Sequence, residues 1–160
     1  MIRENSYTDE VVAKQMVIER DGGPLPAYCA TPRNATAETR SIVMAMHITG
    51  IDSQQRDTAR RFASEGFTTV IPDLYAGSGA PDGDIESDYR AFLAFAKQLT
   101  FETVDPAILA TSDWLRANHP RTGTAIVGFC MGRHHGSPKS ARLRRRLRRR
   151  RNMVRKRERH

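Results

Sequence analysis

A short apolar run that stops at Gly-x-Cys-x-Gly constrains this chain more than any other stretch. Thr124 to Val127 reads as a strand, and Gly128-Phe129-Cys130-Met131-Gly132 follows at once. That spacing has the form of a nucleophile elbow: a strand ends, the chain turns sharply, and one reactive side chain is left above the sheet. The backbone at the nucleophile is strained, so the residues two places either side must lack a Cβ that would clash. The amide of the following residue, here Met131, then points to where an oxyanion forms. A plainer reading stands beside this one. A free cysteine is often only a small buried hydrophobe.

The residues before the elbow supply a sheet for it to sit on. Val11 to Arg20 reads as a strand, Asp21-Gly22-Gly23-Pro24 as a turn, and Leu25 to Ala30 as a second strand, together an antiparallel hairpin. Thr31-Pro32-Arg33-Asn34 then breaks the pattern, and Cys29, with no glycine beside it, reads as packing. Ser41 to Met46 is apolar on both faces, as a strand buried in a parallel sheet should be. His47-Ile48-Thr49-Gly50-Ile51-Asp52 is a loop, and Asp52 with Gln55 has the spacing of a capping-box variant. The helix it opens is expected to run to about Glu65, with Ala59, Phe62 and Ala63 inside and Gly66 as its stop.

Phe67 to Ile71 is a second buried strand ended by Pro72, which completes a strand–helix–strand unit. Asp73 to Asp84 is a glycine- and proline-rich loop with no lysine placed to make it a phosphate cradle. A helix is expected from about Ile85 to Leu99, presenting Tyr89, Phe92, Leu93 and Ala96 on one side. A further helix, Val104 to Asn118, carries Ile108, Leu109, Trp114 and Leu115, and Trp114 reads as core. The fold class is therefore α/β: a hairpin, then parallel strands with flanking helices, in the order of an α/β-hydrolase sheet up to its nucleophile.

Charge divides the chain in two. Residues 1–132 hold 12 Lys+Arg against 17 Asp+Glu, whereas residues 133–160 hold 14 against 1, so the net +8 describes neither part. The first part reads as one mildly acidic domain and the second as an Arg-rich tail outside the fold. Two cysteines make no disulfide framework, and the N-terminus has no apolar core of a signal peptide. No apolar run approaches the length of a membrane span. A cytoplasmic protein is the expectation.

Four motifs in order resemble a known family. They are Met46-His47-Ile48-Thr49-Gly50-Ile51, then Arg60-Arg61-Phe62-Ala63-Ser64-Glu65-Gly66-Phe67, then Pro72-Asp73-Leu74-Tyr75, then Gly128-Phe129-Cys130-Met131-Gly132. Together, over roughly residues 10–132, they resemble the N-terminal part of the dienelactone hydrolases (carboxymethylenebutenolidases). The resemblance implies an α/β-hydrolase fold in which a cysteine opens a lactone or ester through an acyl-enzyme, with no metal or organic cofactor. The matching nucleophile is Cys130, and the oxyanion amides would be those of Met131 and Ile48. The family often has a glutamate beside the first oxyanion residue, in contact with the resting thiol. His47 stands there in this chain, either as a thiol partner or only as part of the pocket lining. The family's carboxylate-binding arginines find no motif match.

The resemblance stops at Gly132. The family places an aspartate and a histidine of its triad well after the elbow. Here the last aspartate is Asp113, and after Cys130 the only acid is Glu158, with His134, His135 and His160. Three origins for the tail remain open. It can be the product of a shifted frame in a GC-rich gene, an Arg-rich arm for nucleic acid or another polyanion, or a helix over Arg142 to Arg159 weakened by like charges at i,i+4. A chain without the triad's last two members is expected to be a poor catalyst, and one without the helix behind the elbow a marginal fold.

Overall fold

The computed structural model describes residues 9–129. The hairpin forms as expected. Strand β1 (Val11–Ile18) pairs antiparallel with β2 (Leu25–Pro32), with Ile18 opposite Leu25 and Val11 opposite Pro32. Gly22 and Gly23 turn the chain between them at φ 93° and 101°, a conformation that side chains with a Cβ rarely adopt.

Strand β2 runs two residues further than Thr31-Pro32 suggested. Its prolines are tolerated because the second neighbour, β4 (Phe67–Pro72), pairs only with Ala27 to Ala30. Pro26 and Pro32 fall outside that ladder, so their missing N–H groups leave no gap in it.

Strand β3 (Arg40–Ala45) lies parallel to β4 on one side and to β5 (Thr124–Gly128) on the other, giving the order β1-β2-β4-β3-β5. Helix α1 (Ser53–Ser64) covers one face. Its Ala59 and Ala63 share a core with Ile42, Met44 and Ile71. Helix α3 (Phe101–Asn118) covers the other face, where Val104, Ile108 and Leu115 pack with Val43, Val70 and Cys29. Successive residues of β3 thus enter opposite cores, which is why that strand is apolar throughout. Cys29 is buried as packing, and burial pushes its thiol up to about 11 despite nearby Lys14.

Two helix boundaries differ from expectation. The stretch read as one helix from Ile85 to Leu99 is not one continuous α-helix. Only a 3-10 turn, Tyr89–Phe92, and one α-turn, α2 (Leu93–Ala96), form. The acidic run before them diverts the backbone: Glu86 accepts from the Asp88 amide, and Asp88 from the Arg90 amide. Of the apolar face expected there, Phe92 is fully buried, while Tyr89 and Leu93 are exposed. Helix α3 starts a turn early because Thr100 and Thr103 form a capping box ahead of Val104. Trp114 is partly buried against the α3-side core.

Among the described residues, strand β5 sits at the sheet margin. Its Ile126 is 38% exposed, whereas Val70 and Ile71 of β4 are at 0%.

Candidate active site

The segment between β3 and α1 is short and fully tied. Asp52 caps α1, its Oδ1 accepting from the Gln55 amide at 2.9 Å, which is one half of the expected capping box; Gln55 Oε1 makes no return bond. The same carboxylate reaches back along the loop. Its Oδ1 is 3.2 Å from His47 Nε2, and its Oδ2 accepts from the Thr49 hydroxyl at 2.7 Å. Thr49 Oγ1 also lies 2.8 Å from His47 Nδ1. Both ring nitrogens of His47 therefore have partners inside the loop, and its side chain is only 16% exposed.

The backbone of this loop is held as firmly. The His47 carbonyl accepts from the Gly50 amide at 3.0 Å, with Gly50 at φ 81°. A trans peptide points its N–H away from its C=O. The Ile48 N–H, in the same peptide plane as the His47 carbonyl, is thereby turned to the opposite side from Gly50. Among the described residues no acceptor takes it. The next carbonyl, of Ile48 itself, accepts from the Tyr75 hydroxyl at 3.0 Å. Both peptides flanking Ile48 are thus fixed, and one backbone donor is left presented.

Tyr75 arrives from the loop after β4. Burial pushes its hydroxyl up to about 12, and the nearby Asp73 charge adds to this. Its proton therefore stays in place to donate to Ile48. Asp73 is itself raised by burial, with the Tyr75 and Ala76 amides pulling the other way. Arg56 on α1 turns outward, donating to the Ile51 carbonyl at 2.8 Å and pairing with Asp84, which also takes the Ser53 amide. For Asp84, burial pulls upward, but the Arg56 and Ser53 contacts outweigh it and lower the carboxyl.

A cleft of ≈ 600 Å³ opens on the far side of the loop, between Thr49 to Ile51 and the loop after β4. Neither His47 nor Ile48 lines it, so the presented amide does not belong to that cleft.

The structure thus brings His47 and Ile48 together at the carboxyl end of β3. Cys130 and Met131 lie outside the described residues, as do His134, His135 and the Arg-rich stretch 133–160. What sequence reading missed is the pairing of Asp52 and Thr49 with His47. Its signal was available as three hydrogen-bonding side chains within six residues, but the capping role of Asp52 absorbed it. The Tyr75 contact, 27 residues distant, carried no local signal. Among the described residues no group of His, Cys, Asp and Glu is placed to hold a metal ion, and no helix is long and apolar enough to cross a membrane.

The chain is 29% identical over 129 residues to a candidate carboxymethylenebutenolidase of Escherichia coli (strain K12), a match covering 78% of this chain and 46% of that protein. It is likewise 29% identical to Carboxymethylenebutenolidase 1 of Cupriavidus pinatubonensis, over 72% of this chain and 50% of the relative. Among solved structures it is similar to a candidate dienelactone hydrolase from Klebsiella pneumoniae, with a TM-score of 0.63 and 27% identity, covering 75% of this chain and 50% of the other. The chain spans about half the length of the curated relatives it matches. The family model described as "Dienelactone hydrolase family" matches residues 25–143, about three-quarters of the sequence. With that match, and with an α/β sheet that superposes on dienelactone hydrolase structures, the chain belongs to the dienelactone hydrolase family.

Proposed function

We propose that the chain derives from, and retains the acyl-accepting part of, a carboxylic ester or lactone hydrolase. Cys130 is the nucleophile, the Ile48 and Met131 amides form the oxyanion site, and His47 is the thiol's partner. The supporting observation is the presented Ile48 amide at the end of β3. Strand β5 runs parallel beside β3, with Met44 abreast of Val127 and Ala45 abreast of Gly128. The two strands therefore end at the same edge of the sheet, where the loop after β3 carries Ile48.

The chemistry follows from that placement. Sulfur attacks the carbonyl carbon, and the carbonyl oxygen gains negative charge that two amides accept. The C–O bond to the leaving alcohol breaks, the alkoxide takes from His47 the proton that the thiol gave up on attack, and a thioester remains on Cys130. Water then releases the acid. A donor in such a site is commonly worth about 3 kcal/mol in the transition state. Lactones are the substrate class suggested by the family and by the names of its relatives.

The test is intact-mass analysis of the full chain after mixing with 4-nitrophenyl acetate. One acetyl group mapped to Cys130, absent in Cys130→Ala and released slowly, supports the reading. Acetylation that is absent, or that falls on lysines alone, removes it.

A further inference from the structure

We propose that the cleft on the far side of the β3–α1 loop binds a small organic cation: a primary ammonium with a short apolar body, its N–H groups on the Asp73 carboxylate. The proposal uses none of the residues assigned above to ester cleavage.

The cleft forms where three parts of the fold meet. Met16 and Val17 come from β1, Pro26 and Ala27 from β2, and Ile51 from the loop after β3, so apolar side chains make part of its wall. Its volume of ≈ 600 Å³ is that of a small-molecule site. Asp73 enters from the end of β4. Its amide donates to the Pro26 carbonyl at 2.9 Å, and its Oδ1 accepts from the Tyr75 amide at 2.9 Å. The residue is thus fixed beside β2.

What Asp73 lacks is a counter-charge. Among the described residues no Lys, Arg or His forms an ion pair with it. Taking a carboxylate out of water is costly unless a partner compensates. The Tyr75 and Ala76 amides compensate in part, yet burial still raises the carboxyl. An ionised carboxylate has about four lone-pair sites, and two amides leave some of them over. Acceptor capacity therefore remains on a cleft-lining group that no side chain neutralises.

The other charges on the cleft fix the sign of the ligand. Arg56 and Asp82 line it as well. Arg56 is already engaged: it donates to the Ile51 carbonyl and pairs with Asp84, which does not line the cleft. Asp82 accepts only from the Asp84 amide and keeps its charge. With Arg56 matched, Asp73 and Asp82 are left, and both repel an anion. A bare metal ion is a poor fit too. Among the described residues no group of His, Cys, Asp and Glu is placed to hold one, and the apolar wall would go unused.

The test is titration of the 15N-labelled full chain at pH 7 with benzylammonium, benzyl alcohol and benzoate, which share one apolar body and differ in charge. Amide shifts of Gly77, Gly79 and Gly83, all on the cleft, report its occupancy apart from any binding to the Arg-rich tail. Benzylammonium is expected to move these amides saturably. Benzyl alcohol should need on the order of tenfold more ligand, and benzoate should leave them in place. Asp73→Asn keeps the shape and removes the charge, and should weaken benzylammonium on the order of tenfold, to the level of the alcohol. Asp82→Asn removes an exposed, solvent-screened charge and should weaken it only about twofold.

Three probes that bind alike overturn the proposal, as do cleft amides that benzylammonium does not move, or an Asp73→Asn affinity equal to wild type. Equal losses in the two variants also overturn it, since the cation would then answer to the general charge of the rim. Urea midpoints give a second reading: benzylammonium should raise that of wild type and leave that of Asp73→Asn unchanged. The probe series in wild type decides by itself if a variant does not fold.

Discussion

The loops that follow β3 and β4 leave the same end of the sheet, yet they are built on opposite plans. The first, residues 46–52, is tied by its own side chains: His47, Thr49 and Asp52 close on one another. The second, residues 73–88, is tied by carboxylates and hydroxyls to amides two residues on, as in Asp73 to Tyr75, Ser78 to Ala80 and Asp82 to Asp84. Glycines at positive φ, Gly77 and Gly79, turn it. The first plan holds functional atoms in fixed directions. The second makes a brace. It meets the first loop at Gly83 against Thr49 and at Tyr75 on Ile48, and the start of α1 at Asp84 on Ser53 and Arg56. A rigid donor such as the Ile48 amide needs both, a loop that orients it and a neighbour that keeps the loop from moving.

The largest break in that arrangement is expected from Gly83→Ala. A Cβ there would stand 2.2 Å from the Thr49 carbonyl oxygen, with Thr49 Cβ at 3.1 Å. Backbone must shift, and overpacking of this kind costs about 2–3 kcal/mol. Gly123→Ala, with nothing within 4 Å, is the control and should be near neutral. Urea unfolding of both variants checks the pair, and equal midpoints would mean the two loops do not meet. Thr49→Val comes next. It keeps the shape but leaves His47 Nδ1 and Asp52 Oδ2 without that partner, at about 1–2 kcal/mol. Tyr75→Phe removes one hydrogen bond to the Ile48 carbonyl, about 1 kcal/mol. In the proposed function it should also slow acetylation of Cys130 by 4-nitrophenyl acetate more than alkylation by iodoacetamide, since only the first reaction builds an oxyanion.

The same contrast separates what was legible in the sequence from what was not. Strand β3 was read correctly because burial on both faces leaves a continuous apolar run, and α1 because Asp52 and Gln55 mark its start. The stretch from Ile85 to Leu99 was misread. Its apolar residues have helical spacing, but Glu86 and Asp88 take backbone amides that a helix would need. Local side-chain competition of that kind is invisible to a periodicity. Strand β2 outran its reading since only the pairing with β4 shows that Pro26 and Pro32 lie outside the ladder. In the candidate site, His47 and Ile48 came from the family resemblance, while the reach of Tyr75 depends on how two loops fold together. Period and caps are properties of a segment, but a brace is a property of two.

The smallest predicted effect is also the one that discriminates most finely, because the two ends of the second loop should respond to pH with opposite sign. Burial raises the Asp73 carboxyl above its ordinary 3.8, against the pull of the Tyr75 and Ala76 amides. Ionising it is harder in the folded chain than in the unfolded one. The stability tied to its proton is complete below pH 3.8 and is lost as pH rises through the raised value. Asp84 behaves in reverse. Burial opposes its charge, but Arg56 and Ser53 prevail and lower it. Its contribution is present above pH 3.8 and is lost as pH falls through the lowered value. Asp84 is largely exposed, so solvent screening keeps its share small. Asparagine at either position cannot ionise. Relative to wild type, Asp73→Asn should therefore gain stability between pH 4 and 7, whereas Asp84→Asn should be weaker at pH 7 and approach wild type below pH 3.8. Urea midpoints measured from pH 3 to 7 decide the matter. Parallel curves for the two variants would mean that the loop's ends share one environment, and that the buried end does not brace the first loop as its contacts indicate.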